Sequence, residues 1–197
     1  MMMSKIFVAC DSTNIRKVKE IIKKTTNPKL KVGYKFGLEF LNSKNGRNFL
    51  SKLKNKILFA DLKLNDIPNT CVSTIKAVKD LKINYLTIHI SSGLKALVSA
   101  KKVSGRTKLV GVTVLTSLDN KALKQIGHKK NVKKLVLQQA KLASKAKLDA
   151  IVCSAQEIEI VKKVFKKEII TPGIRIDKNN DDQKRTLTPN QAYENGS

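Results

Sequence analysis

Three ionisable residues, Asp61, Lys63 and Asp66, stand close together directly after the apolar run 57–60. Side chains two positions apart on an extended chain project from the same face, so Asp61 and Lys63 are predicted to lie side by side. Asp66 lies further along, where Pro68 indicates that the strand has stopped and a helix begins. Carboxylates on both sides of an ammonium group favour its charged form. The segment therefore predicts a lysine that stays protonated.

Such a group of charges is compatible with three interpretations. It can deliver a proton to a developing carbanion, because Lys63 is a charged donor that the carboxylates hold in place. It can bind a metal ion through Asp61 and Asp66, with Lys63 as a bystander. It can also be a solvated ion pair at the end of a strand, which contributes little to stability. The spacing alone leaves all three open.

The composition limits the classes of protein to which the chain can belong. With 197 residues, 41% of them hydrophobic and 28% charged, the chain can bury one good core, and we predict a single domain over residues 1–197. No apolar stretch approaches the length of a membrane span, and the run 6–10 is too short for a signal peptide. Three cysteines without a CxxC pair predict buried reduced thiols. We expect a soluble, cytoplasmic protein with no membrane partner.

A net charge of +25 raises nucleic acid as a partner. The lysines, however, are scattered through the predicted helices in pairs such as 23–24, 133–134 and 162–163. There is no basic tail and little aromatic interleaving on which bases could stack. Solvated lysine-rich faces are the simpler explanation, so nucleic acid is not the predicted partner. The positive field favours capture of an anionic substrate.

Apolar runs and amphipathic segments alternate along the whole chain. Strands are predicted at 6–10, 30–36, 57–61, 83–90, 108–114, 150–153 and 168–171. Apolar residues at helical spacing predict the helices between them, with a strong amphipathic helix at 132–146 and a last short helix near Pro189. A long polar loop is predicted before that last helix. The repeated strand and helix imply a parallel sheet covered by helices.

Two architectures fit this repeat, an open doubly wound sheet and a (β/α)8 TIM barrel. No Gly-rich dinucleotide fingerprint follows the first strand, which weakens the first architecture. Polar residues instead collect where strands end, as in a barrel active site: Asp11, Lys35, Asp61, Lys63, His89, Thr113, Thr116, Ser154 and Arg175. We therefore predict an α/β TIM barrel. About seven units in 197 residues fall short of eight in about 250, so we expect one C-terminal unit to be missing.

Five segments, in order, resemble those of the orotidine 5′-phosphate decarboxylase family. The segment 61–70, DLKLNDIPNT, resembles the signature of that family in its bacterial type. The other four are Asp11, KFGLEF at 35–40, VTVLTS at 112–117, and TPGIR at 171–175 followed by Asp182 and Gln183. A bare DxKxxD is shared with other sugar-phosphate lyases of the superfamily, whereas DIPNT with LTS and TPGIR is specific. The resemblance covers essentially the whole chain but lacks the family's C-terminal eighth strand.

The resemblance implies a carboxy-lyase of pyrimidine biosynthesis that needs no metal or other cofactor. Its reaction would convert orotidine 5′-monophosphate (OMP) to uridine 5′-monophosphate (UMP) and CO2. Lys63 would be the general acid that protonates C6 of the pyrimidine, and Asp61 would lie near the substrate carboxylate. Lys35 and Asp66 would complete an alternating charge network. Asp66 would reach the active site of the partner subunit in a homodimer.

The resemblance also implies the contacts that bind the substrate. They would be Asp11 and Lys35 on the ribose hydroxyls, Thr70 and Thr116 in the nucleotide site, and Arg175 and Gln183 on the phosphate. Lys31 begins a segment that also resembles the family's lysine segment, but GLEF after Lys35 favours Lys35. His89 could be an acid or base, although a hydrogen-bonded structural histidine is the simpler interpretation. The alternative functions are a metal-dependent sugar-phosphate lyase of the same superfamily and a basic, non-catalytic nucleic-acid-binding barrel.

Overall fold

The described part of the chain contains a seven-stranded parallel sheet. The computed structural model describes residues 5–174 and 188–194. Its strands are β1 (Lys5–Ala9), β2 (Lys31–Phe36), β3 (Ile57–Leu64), β4 (Tyr85–His89), β5 (Lys108–Val112), β6 (Ala150–Val152) and β7 (Glu168–Ile170). Each strand pairs with the next strand in sequence. A doubly wound sheet reverses its strand order at a switch point, and this uninterrupted order instead belongs to a (β/α) barrel with seven units.

Contacts across the interior show that the sheet curls. In a flat sheet, β1 and β4 would be about 14 Å apart, because neighbouring strands are spaced by about 4.8 Å. The ring centroids of Phe7 on β1 and Tyr85 on β4 are only 5.0 Å apart, and Phe59 on β3 is also 5.0 Å from Phe7. The three aromatic rings therefore fill the inside of a barrel, and the predicted TIM-barrel class is confirmed.

A glycine makes room for this aromatic packing. Gly33 on β2 pairs with Phe7 on β1, and a Cβ at Gly33 would lie 2.7 Å from Cε1 of the Phe7 ring. Real Cβ atoms do not approach so closely, so any other residue would displace the ring. The small residue on β2 thus lets the large residue on β1 reach Phe59 and Tyr85 in the interior.

A group of charged and polar residues lies at the amino ends of the strands. Asp61 and Lys63 lie at the opposite, carboxyl ends. Tyr85, Lys108 and Glu168 are the first residues of β4, β5 and β7, and together they form what we call the amino-end clasp. The Tyr85 hydroxyl donates to Glu168 Oε2 at 2.9 Å, and Lys108 Nζ donates to Glu168 Oε1. Lys108 Nζ also lies 5.4 Å from the centre of the Tyr85 ring. The clasp joins three strands at their amino ends.

Helices cover the outside of the barrel. They are α1 (Ile15–Thr25), α2 (Leu38–Asn42), α3 (Gly46–Lys52), α4 (Pro68–Ala77), α5 (Gly93–Val103), α6 (Asn120–Gln125), α7 (Val132–Lys145), α8 (Ile158–Lys162) and α9 (Pro189–Glu194). Asn14 caps α1 by accepting hydrogen bonds from the amides of Arg16 and Lys17, and Pro68 occupies the first turn of α4. The main core lies between the helices and the outward-facing strand residues, among them Tyr34, Phe36, Leu86, Ile88, Leu109 and Ile151.

The structure corrects several predicted boundaries. β3 continues to Leu64 rather than stopping at Asp61, and β4 starts at Tyr85 rather than at Ile83. Two short helices, α2 and α3, replace the single helix predicted between β2 and β3, and α6 was not predicted. The polar loop predicted before the last helix lies mostly outside the described residues. All three cysteines are buried and free, in agreement with the prediction. Among the described residues, no helix has the length and apolarity that crossing a membrane requires.

Candidate active site

Four charged side chains at the carboxyl ends of β1 to β3 form an alternating series of ion pairs. We call Asp11, Lys35, Asp61 and Lys63 the charge chain. Lys35 Nζ lies 3.3 Å from Asp11 Oδ1 and 3.7 Å from Asp61 Oδ2. Lys63 Nζ lies 2.7 Å from the same Asp61 Oδ2. The structure therefore brings together four of the residues singled out from the sequence.

The strand register explains why these side chains meet. Lys35 on β2 pairs with Phe59 on β3, and Asp61 follows two residues later on the same face. Asp11 comes directly after β1, and the amide of Cys10 donates to the carbonyl of Lys35 at 2.8 Å. This last hydrogen bond extends the ladder between β1 and β2 up to the residue before Asp11. Lys35, rather than Lys31 at the beginning of β2, thus lies beside Asp61.

Asp61 is the centre of the charge chain. Its side chain is 13% exposed, compared with 36% for Lys63 and 56% for Asp11. A carboxylate removed from water in this way needs charged or hydrogen-bonded partners. Lys35 and Lys63 share its Oδ2, so one anion holds two ammonium groups within one site. The arrangement favours two cations facing the barrel mouth, where an anionic ligand could be bound.

The backbone of β3 is irregular at the charge chain. Pairing with β4 is regular up to Ala60, shifts register, and resumes at Leu64. Within this interval Lys63 has φ of 48°, in the left-handed region that side chains other than glycine rarely adopt. Residues in such conformations cluster at functional sites, where surrounding contacts hold them. The irregular segment carries both Asp61 and Lys63.

His89, the last residue of β4, is half-buried beside the charge chain. Burial lowers the pKa of its imidazole below the ordinary value of 6.5, and the Lys63 ammonium lowers this pKa further. The Asp61 carboxylate acts in the opposite direction. The neutral form of His89 is therefore favoured near neutral pH. That form keeps a third positive charge away from the two lysines.

We expect this histidine to make the folded state sensitive to acid. Because its folded pKa lies below its unfolded pKa, the unfolded chain binds the proton more readily. The free energy of unfolding should therefore fall as the pH drops below 6.5 towards the folded pKa of His89. Urea denaturation between about pH 7.5 and about pH 5 should show a smaller loss in His89→Gln than in the parent.

The control for this experiment is His128→Gln, which removes the protein's other imidazole from an exposed position. If His89→Gln and the parent lost the same stability over this pH range, the assignment of the acid sensitivity to His89 would be wrong.

Three described residues that the sequence singled out, Asp66, Thr70 and Thr116, form no ion pair or hydrogen bond with any of the four residues of the charge chain. Asp66 is exposed, and its Oδ1 accepts a hydrogen bond from the amide of Ile67 at 2.7 Å. No lysine or arginine of the described residues forms an ion pair with Asp66. Thr70 is exposed on the first turn of α4, and Thr116 is half-buried in the loop after β5. Arg175 and Gln183 lie outside the described residues.

A metal site was one of the three interpretations of the Asp61 segment. Across residues 5–174 and 188–194, no three His, Cys, Asp or Glu side chains are grouped closely enough to hold a metal ion. Cys10 adjoins the charge chain, but burial and the Asp11 carboxylate, against the Lys35 ammonium, raise the pKa of its thiol to about 11. This cysteine is therefore a neutral, packed side chain near the site.

One polar residue at the site was missed at the sequence level. Thr87 on β4 is 1% exposed, and its hydroxyl donates to Asp61 Oδ1 at 3.0 Å. The same hydroxyl accepts a hydrogen bond from the amide of Lys63 at 2.8 Å. A signal for it was present, because Thr87 stands two residues before His89 on the same strand and therefore faces the same side.

A parallel barrel with charged side chains at the carboxyl ends of its strands defines the class of barrel enzymes, whose active sites lie at that end. Within this class, the chain belongs to the orotidine 5′-phosphate decarboxylase / HUMPS family, whose model matches residues 4–197. The chain is 42% identical to the orotidine 5′-phosphate decarboxylase of Wolbachia pipientis from Culex pipiens, covering 99% of this chain and 88% of the relative. Its identity to that of Prochlorococcus marinus strain MIT 9515 is 38%, covering 98% of this chain and 85% of the relative.

Crystal structures show the same relationship. The orotidine 5′-phosphate decarboxylase of Lactobacillus acidophilus matches with a TM-score of 0.83 and 31% identity, covering 98% of this chain and 87% of that chain. The orotidine 5′-monophosphate decarboxylase of Methanocaldococcus jannaschii, complexed with the inhibitor BMP, matches with a TM-score of 0.75 over 98% and 85% of the two chains. At 20% identity this second match supports the fold alone.

Proposed function

We propose that the chain decarboxylates OMP to UMP and CO2 without a cofactor. The observation that carries the proposal is the charge chain, in which the Lys63 ammonium lies 2.7 Å from Asp61 at the carboxyl end of the barrel. Two observations support the choice of substrate: the chain belongs to the family, and it is 42% identical to a relative named orotidine 5′-phosphate decarboxylase. The positive field of a chain with net charge +25 favours the approach of the OMP anion.

Lys63 carries the chemical step. Cleavage of the bond between C6 and the carboxylate releases CO2 and leaves the electron pair on C6. A fixed ammonium group beside C6 stabilises this charge as it develops, so it favours the transition state more than the ground state. Lys63 Nζ then transfers one proton to C6 to give UMP, and the resulting amine regains a proton from solvent.

Asp61 holds Lys63 and shapes the charge around the substrate. Its Oδ2 fixes the ammonium group at 2.7 Å, which limits the rotamers that Lys63 can adopt. A substrate carboxylate beside Asp61 meets a like charge, and this contact disappears when the carboxylate leaves as neutral CO2. The Lys35 ammonium group lies 3.7 Å from the same Oδ2 and adds a second positive charge. The paired charges thus orient the proton donor before the substrate arrives.

The remaining family residues are assigned to substrate binding. Asp11 and Lys35 bind the ribose hydroxyls, and Thr116 lines the nucleotide site from the loop after β5. Arg175 and Gln183 bind the phosphate, whose binding energy orients the distant reacting bond. Thr70 lines the nucleotide site together with Thr116. In a homodimer, Asp66 reaches the active site of the partner subunit, and its exposure on the described chain leaves it accessible for that role.

The test is the loss of OMP absorbance on mixing with the chain, with and without a metal chelator. We expect turnover under both conditions, because the protein's own charges perform the reaction. Orotidine without its phosphate should react with kcat/KM lower by at least about 10²-fold, since binding energy remote from the reacting bond contributes to the rate. Absence of turnover by the parent chain would refute the proposal, and loss of turnover with chelator would instead favour a metal-dependent lyase.

A further inference from the structure

One residue of β4 lies opposite three residues of β3. Ala60 pairs with Leu86 and Leu64 pairs with Ile88, so the segment 61–63 of β3 faces Thr87 alone. The two extra residues on β3 form an even number, which leaves the alternation of inward and outward side chains unchanged on both sides of the irregularity. Asp61 and Lys63 consequently face inward together, with Thr87 as their shared neighbour on β4.

The Thr87 hydroxyl satisfies one group on each of the two charged residues. A hydroxyl has a single hydrogen to donate, and an amide can only donate. The Lys63 amide therefore donates to Thr87 Oγ1 at 2.8 Å, and Thr87 Oγ1 donates its hydrogen to Asp61 Oδ1 at 3.0 Å. With the side chain 1% exposed, solvent reaches this hydroxyl hardly at all. The single donor hydrogen of Thr87 and one of its acceptor lone pairs are thus used within the site.

These two hydrogen bonds constrain different parts of the proton-donating unit. The bond to Asp61 Oδ1 fixes the rotation of the carboxylate, so that Oδ2 faces Lys63 Nζ at 2.7 Å. The bond from the Lys63 amide replaces the strand partner that the irregular register removes, and it holds this residue at φ of 48°. Thr87 therefore holds the backbone from which the Lys63 side chain extends. It also holds the Asp61 carboxylate that the Lys63 ammonium group contacts.

We propose that Thr87 is a positioning residue for the decarboxylation, acting through Asp61 and Lys63 and not by contact with substrate. This inference rests on the proposed function for its kinetic consequence. Without the hydroxyl, Asp61 can rotate and the Lys63 backbone can leave its left-handed conformation, so the ammonium group is no longer aimed at one point. Neither hydrogen bond of Thr87 involves Asp11, Lys35 or Thr116, which the proposed function assigns to substrate binding.

The kinetic test compares Thr87→Val, which replaces the hydroxyl by a methyl group of similar size, with Thr87→Ser, which keeps it. We expect Thr87→Val to lower kcat by about 10²-fold, the loss that a displacement of about 1 Å can cause, with KM changed by less than about threefold. Thr87→Ser should retain kcat within about threefold, because the serine hydroxyl can make the same two hydrogen bonds.

Thr107→Val is the matched control. Thr107 is a half-buried threonine directly before β5, at the amino end of the barrel, and its hydroxyl donates to the carbonyl of Ile83 at 2.9 Å. This variant should lose stability without losing kcat. The proposal would be overturned by Thr87→Val with parental kcat, or by an equal loss of kcat in Thr107→Val.

Crystal structures of the parent and Thr87→Val supply a readout that needs no activity. We expect Lys63 to leave its positive φ, or its Nζ to leave hydrogen-bonding distance of Asp61 Oδ2, in the valine variant only. An unchanged Asp61–Lys63 geometry in Thr87→Val would overturn the proposal. If the parent chain does not turn over OMP, the proposed function fails, and this structural comparison decides the positioning role separately.

Discussion

Replacing Lys63 with Ala is expected to lower kcat for OMP decarboxylation by about 10⁴-fold, the upper end of the range for a positioned proton donor. The change removes the proton donor and the positive charge nearest to C6 together. It also leaves Asp61 with Lys35 at 3.7 Å as its remaining cation in the charge chain. The rate should be measured from OMP absorbance at saturating substrate, so that a change in binding does not obscure the loss of the chemical step.

Lys82→Ala is the matched control for this prediction. Lys82 has φ of 49°, close to the 48° of Lys63, but it is exposed just before β4, at the amino end of the barrel and so opposite the charge chain. The control therefore removes one lysine charge from a left-handed backbone position without touching the site. Its kcat should match that of the parent. A Lys63→Ala variant that retained kcat within about tenfold would contradict the assigned role of proton donor.

Mixing two inactive variants, Lys63→Ala and Asp66→Asn, is expected to restore activity. If Asp66 serves the partner's site, a mixed dimer has one site with both lesions and one site with neither. Random pairing makes half of the dimers mixed, so the mixture should recover about one quarter of the parental activity per site. The activity of equimolar variants should be measured after subunit exchange and compared with that of each variant alone.

A mixture of Lys63→Ala with Asp61→Asn is the negative control for this experiment. Asp61 and Lys63 contact each other within one chain, so every site of a mixed dimer lacks one of them. No recovery is expected from this pair. Absence of recovery in the first mixture, despite demonstrated subunit exchange, would show that Asp66 does not serve a shared site. Recovery in the second mixture would show that restored activity does not report which chain supplies Asp66.

The charge chain was accessible from the sequence because it depends on short-range rules. The period of two along a strand places Asp61 and Lys63 on one face, and parallel strands bring their carboxyl ends to one edge. Those rules also place Asp11 and Lys35 at that edge, whereas an alternating charge network that includes Lys35 was implied by the resemblance to the family. The barrel class followed from the same alternation, together with the absence of a Gly-rich turn after the first strand.

The details that hold the site were not accessible in this way. The register shift between Ala60 and Leu64 and the left-handed conformation of Lys63 arise from pairing with β4, which lies more than twenty residues along the chain. Without the shift, Thr87 would pair with Asp61, and Lys63 would lie opposite His89 instead. Local patterns specify which residues alternate, whereas pairing between distant segments specifies which residue faces which.

The missed helices have a different cause. In α2 and α3, the polar turn formers Asn42, Ser43 and Asn45 interrupt what otherwise reads as one amphipathic segment. In α6, the capping residue Asp119 accepts a hydrogen bond from the Ala122 amide, which is a recognisable signal for the start of a helix. Its apolar face is short, with Leu123 as the buried residue, so periodicity gave little indication.

The amino-end clasp bears on how such a protein can change over evolutionary time. Tyr85, Lys108 and Glu168 tie three strands together at one end of the barrel, while the charge chain occupies the other end. No residue belongs to both groups, so mutations that change the catalytic residues can accumulate without removing the contacts of the amino-end clasp. Descendants of one ancestral barrel could thus acquire new substrates while they inherit the same contacts between the amino ends of β4, β5 and β7. Selection for a stable fold should limit substitutions at Glu168, and selection for catalysis should limit substitutions at Asp61.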